Sequence, residues 1–530
     1  MKGKIKIKNL IIILISIIIL LSTTGCLTLT QNEDNNINIY PSKDNIVIGI
    51  GDPSYGLYPW CTSYDVTSIS INHNIFSSLV GFDDLFRIKA ELAESWNSPN
   101  NLTWRFRIRK NVKFHNGYDL TAEDVKYSFD IIKNNESNVL RDLLLSVNET
   151  KIVNDYTIDI ITFKPCPILL NKLTDIFIVS KQYQEETTKK WPIGTGAYKV
   201  SEFIEGYHLV LERFDDYWKG TPDVKKATFR FFENTDERKS AFINGEIDIV
   251  EHLEALDYDN ISAISGLNLY LITNPTVTFI SFDFRENCSL DGVIEDVNPL
   301  SNIRVRKAIY HAINIDEIIE RVFNNSLFAE PASQFVTPLI FGYNPNITRL
   351  PYDPNKSREL LNQSGYSDGF DLALDCINES CMPTKICEVL DEQLSKIINF
   401  SLNRLPIWEY YEKICTRNTS CYILGWLAAT GDGGEIYDYM IRSVDTEAGI
   451  GSFNLGYYSN PEIDRIGEEI TYLMDYEERL KLIQEGFEIA MDDIAWIPLL
   501  SSKLIYGVVD GVGWEPNNNM LILIEEIKLE

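Results

Sequence analysis

WPIGTGAYKVSEFIEGYHLVLERFDDYWKGTPDVKKATFRFFENTDERKSAFINGEIDIV, residues 191–250, is the stretch whose reading decides the fold. Its order is strand, strand, strand, helix, strand. Gly194 and Gly196 flank Thr195, a spacing that permits a sharp bend with no Cβ in the way. Residues 197–203 and 207–214 are β-rich, and Glu205-Gly206 between them reads as a hairpin turn. Turn formers crowd residues 215–222 around the aromatic pair Tyr217-Trp218. Residues 227–232 make a third strand. Thr235 or Asp236 then caps a short helix, 237–244, which Gly245 stops, and an apolar strand resumes at 247–250.

Working outward, residues 93–129 hold a second patterned block: AESW, an alternating run at 103–108, VKFHNG and LTAEDVKYSF. The pattern predicts a half-buried strand, a turn at Asn116-Gly117 and a helix capped by Thr121. Glu123 and Asp124 in its first turn favour the helix dipole, and Val125, Phe129 and Ile132 form one face. His115 has the chemistry of a general base, but beside this turn it reads as structural. Residues 151–163 alternate as a strand, and 277–282 form another. A third block, residues 301–323, predicts two helices, the first with Val305, Ala308, Ile309 and Ala312 on its buried face. Asp316 would cap the second, and Arg304, Arg306 and Lys307 read as a solvated face. Residues 422–426 predict a buried strand, 476–493 a long amphipathic helix and 495–500 a returning strand.

Three blocks of the opening stretch, G-T-G-x-Y-K, L-E-R-x-x-x-Y-W-x-G and R-x-x-A-F-x-x-G-E-I-D-I-V, occur in that order. With them the chain resembles the family 5 extracellular solute-binding proteins, the peptide- and nickel-binding partners of ABC importers. The resemblance runs from about residue 45 to the C-terminus. It implies an α/β, periplasmic-binding-protein-like fold: two large lobes joined by a hinge, plus a small inserted lobe. On that scheme residues 45–62, 175–271 and 495–530 form lobe I, 63–174 the inserted lobe II, and 272–494 lobe III. A ligand would be trapped between lobes I and III.

The chain has 530 residues, too many for one core, and its 45% hydrophobic content argues against disorder. A net charge of −29 would be repelled by phosphate backbones, so no nucleic-acid partner is expected. Lys2, Lys4, Lys6 and Lys8 precede an apolar run at 10–21 and the small residues before Cys26, which reads as a secretory segment. Cys26 after Gly25 is a candidate lipid-anchor acceptor, although Thr23 stands where a Leu is usual; an uncleaved anchor or simple secretion is the alternative. Residues 27–44 would be a flexible tether. Either way the body lies outside the cytoplasm. The eight further cysteines suggest disulfides in an exported chain. The spacing of Cys376, Cys381 and Cys387 is wide for zinc.

No catalytic motif survives scrutiny. Gly49-x-Gly51 is followed by Pro53, which does not suit a dinucleotide loop. Gly365-Tyr366-Ser367-Asp368-Gly369 matches a nucleophile elbow, but a helix precedes it and a strand follows, the reverse of what an elbow needs. No H-E-x-x-H occurs, and none of the five His pair at ligand spacing. Neither enzyme activity, nor a cofactor, nor a bound metal is expected; an exported hydrolase is the competing class.

The resemblance implies a ligand cleft walled by residues 55–60 of lobe I and by residues 425–437 with Tyr457 of lobe III. Tyr55, Trp60, Trp426, Tyr437 and Tyr457 are the aromatic candidates, since such side chains contact varied ligands at little entropic cost. Peptide-binding members usually carry an Asp three residues after the Trp of a Gly-Trp pair, facing the peptide ammonium. Here that position is Ala429, and Asp432 is the candidate replacement. The implied function is a membrane-tethered, monomeric receptor that hands a peptide to an ABC permease, with a nickel chelate or an oligosaccharide as the alternative ligand.

Overall fold

The computed structural model describes residues 44–51, 65–136, 138–184, 191–286, 297–379 and 382–529. Among the described residues, no helix is long and apolar enough to cross a membrane. The chain divides into two compact units, the first Thr273–Lys503 and the second formed by the residues up to Ile272 with the return segment from Leu504.

The second unit is built on Asn45–Gly51, which lies parallel to Lys226–Phe232 on one side (Ile48 opposite Phe229) and to Ile249–Leu253 on the other. His208–Arg213 and Tyr198–Ile204 extend the sheet antiparallel beyond Lys226–Phe232. The C-terminal half of the long strand Trp496–Val509 closes the far side, with Val250 opposite Gly507. The hairpin turn falls at Gly206, whose φ is +69°. Asn234, rather than Thr235 or Asp236, caps the helix Thr235–Ile243, accepting from the amides of Asp236 (2.7 Å) and Glu237 (3.1 Å).

Inserted in this unit is a four-stranded antiparallel sheet in the order Ala93–Asn100, Thr103–Ile108, Thr157–Thr162, Val147–Asn154. The stretch read as one strand at 151–163 is therefore two strands of a hairpin. Asp155 and Tyr156 reverse the chain just after Asn154, where the alternation breaks at the polar pair Asn154-Asp155. Helix Ala122–Asn134 packs on the sheet through Val125, Phe129 and Ile132, all buried against Phe106, Ile158 and Ile160. Its capping box is complete, with Thr121 and Asp124 exchanging side-chain and backbone bonds.

His115 is structural. Its Nε2 lies 3.0 Å from the carbonyl of Gly196, and its Nδ1 lies 3.4 Å from the amide of Gly194. That pair of partners fixes one neutral tautomer, Nε2 donating and Nδ1 accepting. Burial pulls its pKa down to about 4. In the unfolded chain the ring titrates near 6.5, so the unfolded state takes up the proton first. The stability is whole above pH 6.5 and falls as the pH drops toward 4, by about 3 kcal/mol in all. His115→Gln should therefore lose less stability between pH 7.5 and pH 4.5 than the parent in urea titrations. An equal loss in both proteins would remove His115 from the acid response.

In the first unit the sheet order is Asn399–Leu405, Asp371–Ile377, Cys421–Trp426, Val277–Phe282, then the N-terminal half of Trp496–Val509. Every residue of Cys421–Trp426 and of Val277–Phe282 is buried, the polar Thr278 and Ser281 of the latter included, so neither strand has a solvent face. Helix Ile303–Ala312 is capped by Asn302, and Ile315–Phe323 by Asn314 in place of the expected Asp316. Arg306 is not on a solvated face. It is buried, and its guanidinium donates to the carbonyls of Leu300, Ser301, Asp493 and Ile494, tying the start of its own helix to the end of Tyr476–Asp492. Ser367 lies between the helix Pro354–Gln363 and the strand Asp371–Ile377, the arrangement that excludes an elbow.

Candidate functional site

Trp426 ends the strand Cys421–Trp426 and is buried within the first unit. Its ring centroid lies 4.8 Å from that of Phe453 and 6.1 Å from that of Tyr439, a tyrosine that remains partly exposed. The indole Nε1 is buried without a hydrogen-bond partner. Such a group costs about 1–3 kcal/mol unless something accepts from it.

The loop that follows turns sharply at Gly431, φ +66°. Glu435 folds back on this loop, its Oε2 accepting from Thr430 N (3.0 Å) and Thr430 Oγ1 (2.8 Å). Burial, opposed in part by those bonds, pushes the carboxyl up to about 7. Among the described residues no cation is paired with it, and the carboxylate lies beside the backbone of Ala429 and Thr430.

The other candidates are placed differently. Asp432 is buried and faces inward: Arg479 Nη1 donates to Oδ2 (2.6 Å) and Nη2 to Oδ1 (2.8 Å), while Gly434 N donates to Oδ1 (2.8 Å). Arg479 in turn donates through Nε to the Ile470 carbonyl at 2.9 Å. A carboxylate engaged this way holds its own unit together. Tyr437 is fully buried, stacked on Phe487 with centroids 5.4 Å apart, and its hydroxyl donates to the Ile483 carbonyl at 2.7 Å. It is a core residue.

Tyr457 is partly exposed with φ +59°, held between the guanidinium carbons of Arg285 (4.6 Å) and Arg417 (4.9 Å). It sits where the strand begins, since Phe284 N donates to the Gly456 carbonyl and Asp283 N to that of Ser420. Trp426 is at the other end, about 17 Å away at 3.3 Å per residue. The two do not share one contact surface. Tyr55, Trp60 and Cys26 lie outside the described residues.

The sequence missed Glu435, Tyr439 and Phe453. Glu435 fell inside the stretch expected to wall the cleft, but no spacing rule separates it from Asp432 three residues earlier. Among the described residues no group of three or more His, Cys, Asp or Glu could hold a metal ion. No disulfide joins the described cysteines Cys166, Cys376, Cys387, Cys415 and Cys421 to one another, so the expected disulfides are not found among them.

The family model for bacterial extracellular solute-binding proteins, family 5 Middle, matches residues 87–447, more than half of the chain. The chain belongs to family 5. Family 5 members are solute-binding proteins, not enzymes, and they work outside the cytoplasm. The glutathione-binding protein GsiB of Salmonella choleraesuis is 26% identical over 481 residues, covering 88% of this chain and 90% of the relative. Solved structures show the same α/β fold. The ABC transporter substrate-binding protein CtaP of Listeria monocytogenes matches with TM-score 0.80 and 21% identity, over 92% of this chain and 100% of that one. The DppA binding protein of Helicobacter pylori, solved with the peptide STSA, matches with TM-score 0.73 and 23% identity, over 92% and 98%.

Proposed function

We propose that this family 5 protein is the receptor of an ABC importer for a peptide-like ligand carrying a free amine, and that the ligand is met by Trp426, Tyr439 and Glu435. The observation that carries the reading is Glu435, a buried carboxylate with no paired cation among the described residues, one short loop from an aromatic face whose indole N–H has no acceptor among them. An ammonium group would take the place of the missing cation, and a peptide carbonyl would accept from the indole. Glutathione and the peptide STSA, bound by the relatives, both carry such groups. Glu435 replaces Asp432 in the role first expected of the latter, and it supplies its charge beside Ala429.

The test is native mass spectrometry of the body from residue 32, purified without refolding and then denatured to release ligand. Amine-bearing peptides should be released. Trp426→Ala should weaken rebinding of a released peptide at least about tenfold, equivalent to about 1.4 kcal/mol. Unchanged affinity would sink the assignment of this face. Because Glu435 protonates near pH 7, affinity for the same peptide should also fall as the pH drops below 7.

We further propose that the mature protein is a monomer held at the outer face of the membrane through a lipid on Cys26. The reading is supported by the lysines, apolar run and small residues that precede Cys26. Membrane fractionation is the check: Cys26→Ala should move the protein into the soluble fraction, and an unchanged distribution would contradict the anchor.

A further inference from the structure

Within the second unit, the pairing between Ile249–Leu253 and the return strand slips: Val250 faces Gly507, but Leu253 faces Ile505. Glu251 and His252 therefore oppose Tyr506 alone, which is a β-bulge. Bulges re-aim side chains, and they concentrate beside functional sites. His252 has φ +52°, a left-handed conformation that a side chain other than glycine adopts at a cost.

The side chains around this bulge are buried and under-bonded. Arg238 is 7% exposed. Its guanidinium makes one long hydrogen bond, Nη2 to the His252 carbonyl at 3.4 Å, and Nη1 stands 3.8 Å from Glu251 Oε1. Its Nε has no partner. His252 Nδ1 is 3.8 Å from the same Glu251 oxygen, which already accepts from Gly51 N at 2.8 Å, while Nε2 has no partner. The Tyr506 ring lies 5.7 Å from that of His252, and the Trp514 ring 5.8 Å from that of Tyr506. Tyr506 Oη and Trp514 Nε1 are also buried and unpartnered.

One water accepts two hydrogen bonds, yet four orphaned groups run in sequence here, and two of them, Arg Nε–H and Trp Nε1–H, can only donate. Burial keeps His252 neutral by lowering its pKa, so the imidazole can offer Nε2–H without adding charge. The guanidinium is the one cation of the cluster; Glu251 pairs its charge at 3.8 Å but lies beyond hydrogen-bonding distance, so it fills none of the N–H donors. A carboxylate has about four lone-pair sites, can supply the hydrogen-bond acceptors the guanidinium lacks, and is small enough to meet donors on more than one side chain.

We propose that Arg238, His252 and Tyr506, with Trp514 at the far wall, form a carboxylate-binding site at the bulge of Ile249–Leu253. The carboxylate could come from a bound peptide or from a free small acid. The peptide source rests on the function proposed above, and the free-acid source does not.

The experiment uses the full mature chain and the variants Tyr506→Phe and Trp514→Phe, which remove one donor each and keep ring volume, with Arg238→Gln as a third. Sodium formate at constant ionic strength should raise the melting temperature of the parent and raise that of the variants less. In parallel, tri-alanine and tri-alanine amide are titrated calorimetrically. If the site takes a peptide carboxylate, the free acid should bind the parent at least tenfold more tightly than the amide, and the ratio should shrink at least threefold in Tyr506→Phe. A formate response with equal acid and amide binding, or with no tri-alanine binding at all, supports the site with a free acid as its occupant. Absence of both the formate response and a Tyr506-dependent acid preference overturns the proposal and leaves the donors to solvent. Loss of Arg238→Gln to misfolding would not affect this decision, because the two ring variants carry it.

Discussion

Asp432→Ala should destabilise the first unit by about 3–5 kcal/mol, the usual consequence of removing one partner of a buried ion pair. Both partners are almost inaccessible, with side chains 6% exposed each. The bond is bidentate at 2.6 and 2.8 Å. Arg479 would be left charged among apolar neighbours, with only the Ile470 carbonyl accepting from its Nε. Gly434 N would lose its acceptor as well. The expected readout is a melting temperature lower by on the order of 10 °C for a unit of this size, with a matching shift in urea midpoint. The double variant Asp432→Ala/Arg479→Met should recover much of the loss, because the damage lies in the orphaned charge rather than in the missing attraction. A ligand-contact role makes the opposite forecast: a stable Asp432→Ala protein that binds poorly. Stability within 1 kcal/mol of the parent would return Asp432 to the ligand.

The contrast between Asp432 and Glu435 shows where sequence reading stops. Both acids occupy the same loop, G-D-G-G-E. The partners that separate them, Arg479 from 47 residues downstream and the Thr430 backbone, are brought together by packing and not by spacing. Arg306 teaches the same lesson. Its neighbours Arg304 and Lys307 made a charged face plausible, but two of the four carbonyls it donates to belong to another helix end, nearly 190 positions away. The strands, by contrast, were legible because their signal is local. Val277–Phe282 and Cys421–Trp426 are buried on both faces, and their β-branched and aromatic residues carry the strand signal even with Thr278 and Ser281 in the first of them. Helix starts were placed within a residue or two, although Asn234 and Asn314 took capping roles given to neighbours of similar chemistry. The turn at Asp155-Tyr156 carries no glycine or proline; its one mark is Asn154-Asp155, whose Asn154 Oδ1 accepts from Tyr156 N at 3.1 Å, a signal the alternating reading passed over.

The glycines of the opening motif give the other large effect. Gly194→Ala and Gly196→Ala should each destabilise the second unit by about 4 kcal/mol or more, into the range that point substitutions reach only through a backbone clash or a core defect. A sharp bend was the expected reason for these glycines, but neither has a positive φ. The reason is close approach. A Cβ on Gly194 would overlap the carbonyl oxygen of Ile75 and press on the Phe76 ring, and one on Gly196 would overlap the carbonyl of Asn74. Here the motif passes directly under the last turn of helix Val66–Ile75, to which Gly196 N donates at 3.0 Å. These contacts are backbone against backbone, so no rotamer change relieves them. The same substitutions would break the seat of His115, whose ring nitrogens bond to Gly194 and Gly196. Gly206→Asn is the matched control. Its φ is +69° with nothing within 4 Å of the added Cβ, so the cost is conformational alone, and Asn adopts that conformation more readily than most residues. Melting temperatures of the three variants decide the matter. Large losses at 194 and 196 with a small one at 206 establish that G-T-G is written for contact, and comparable small losses at all three would return it to a bend.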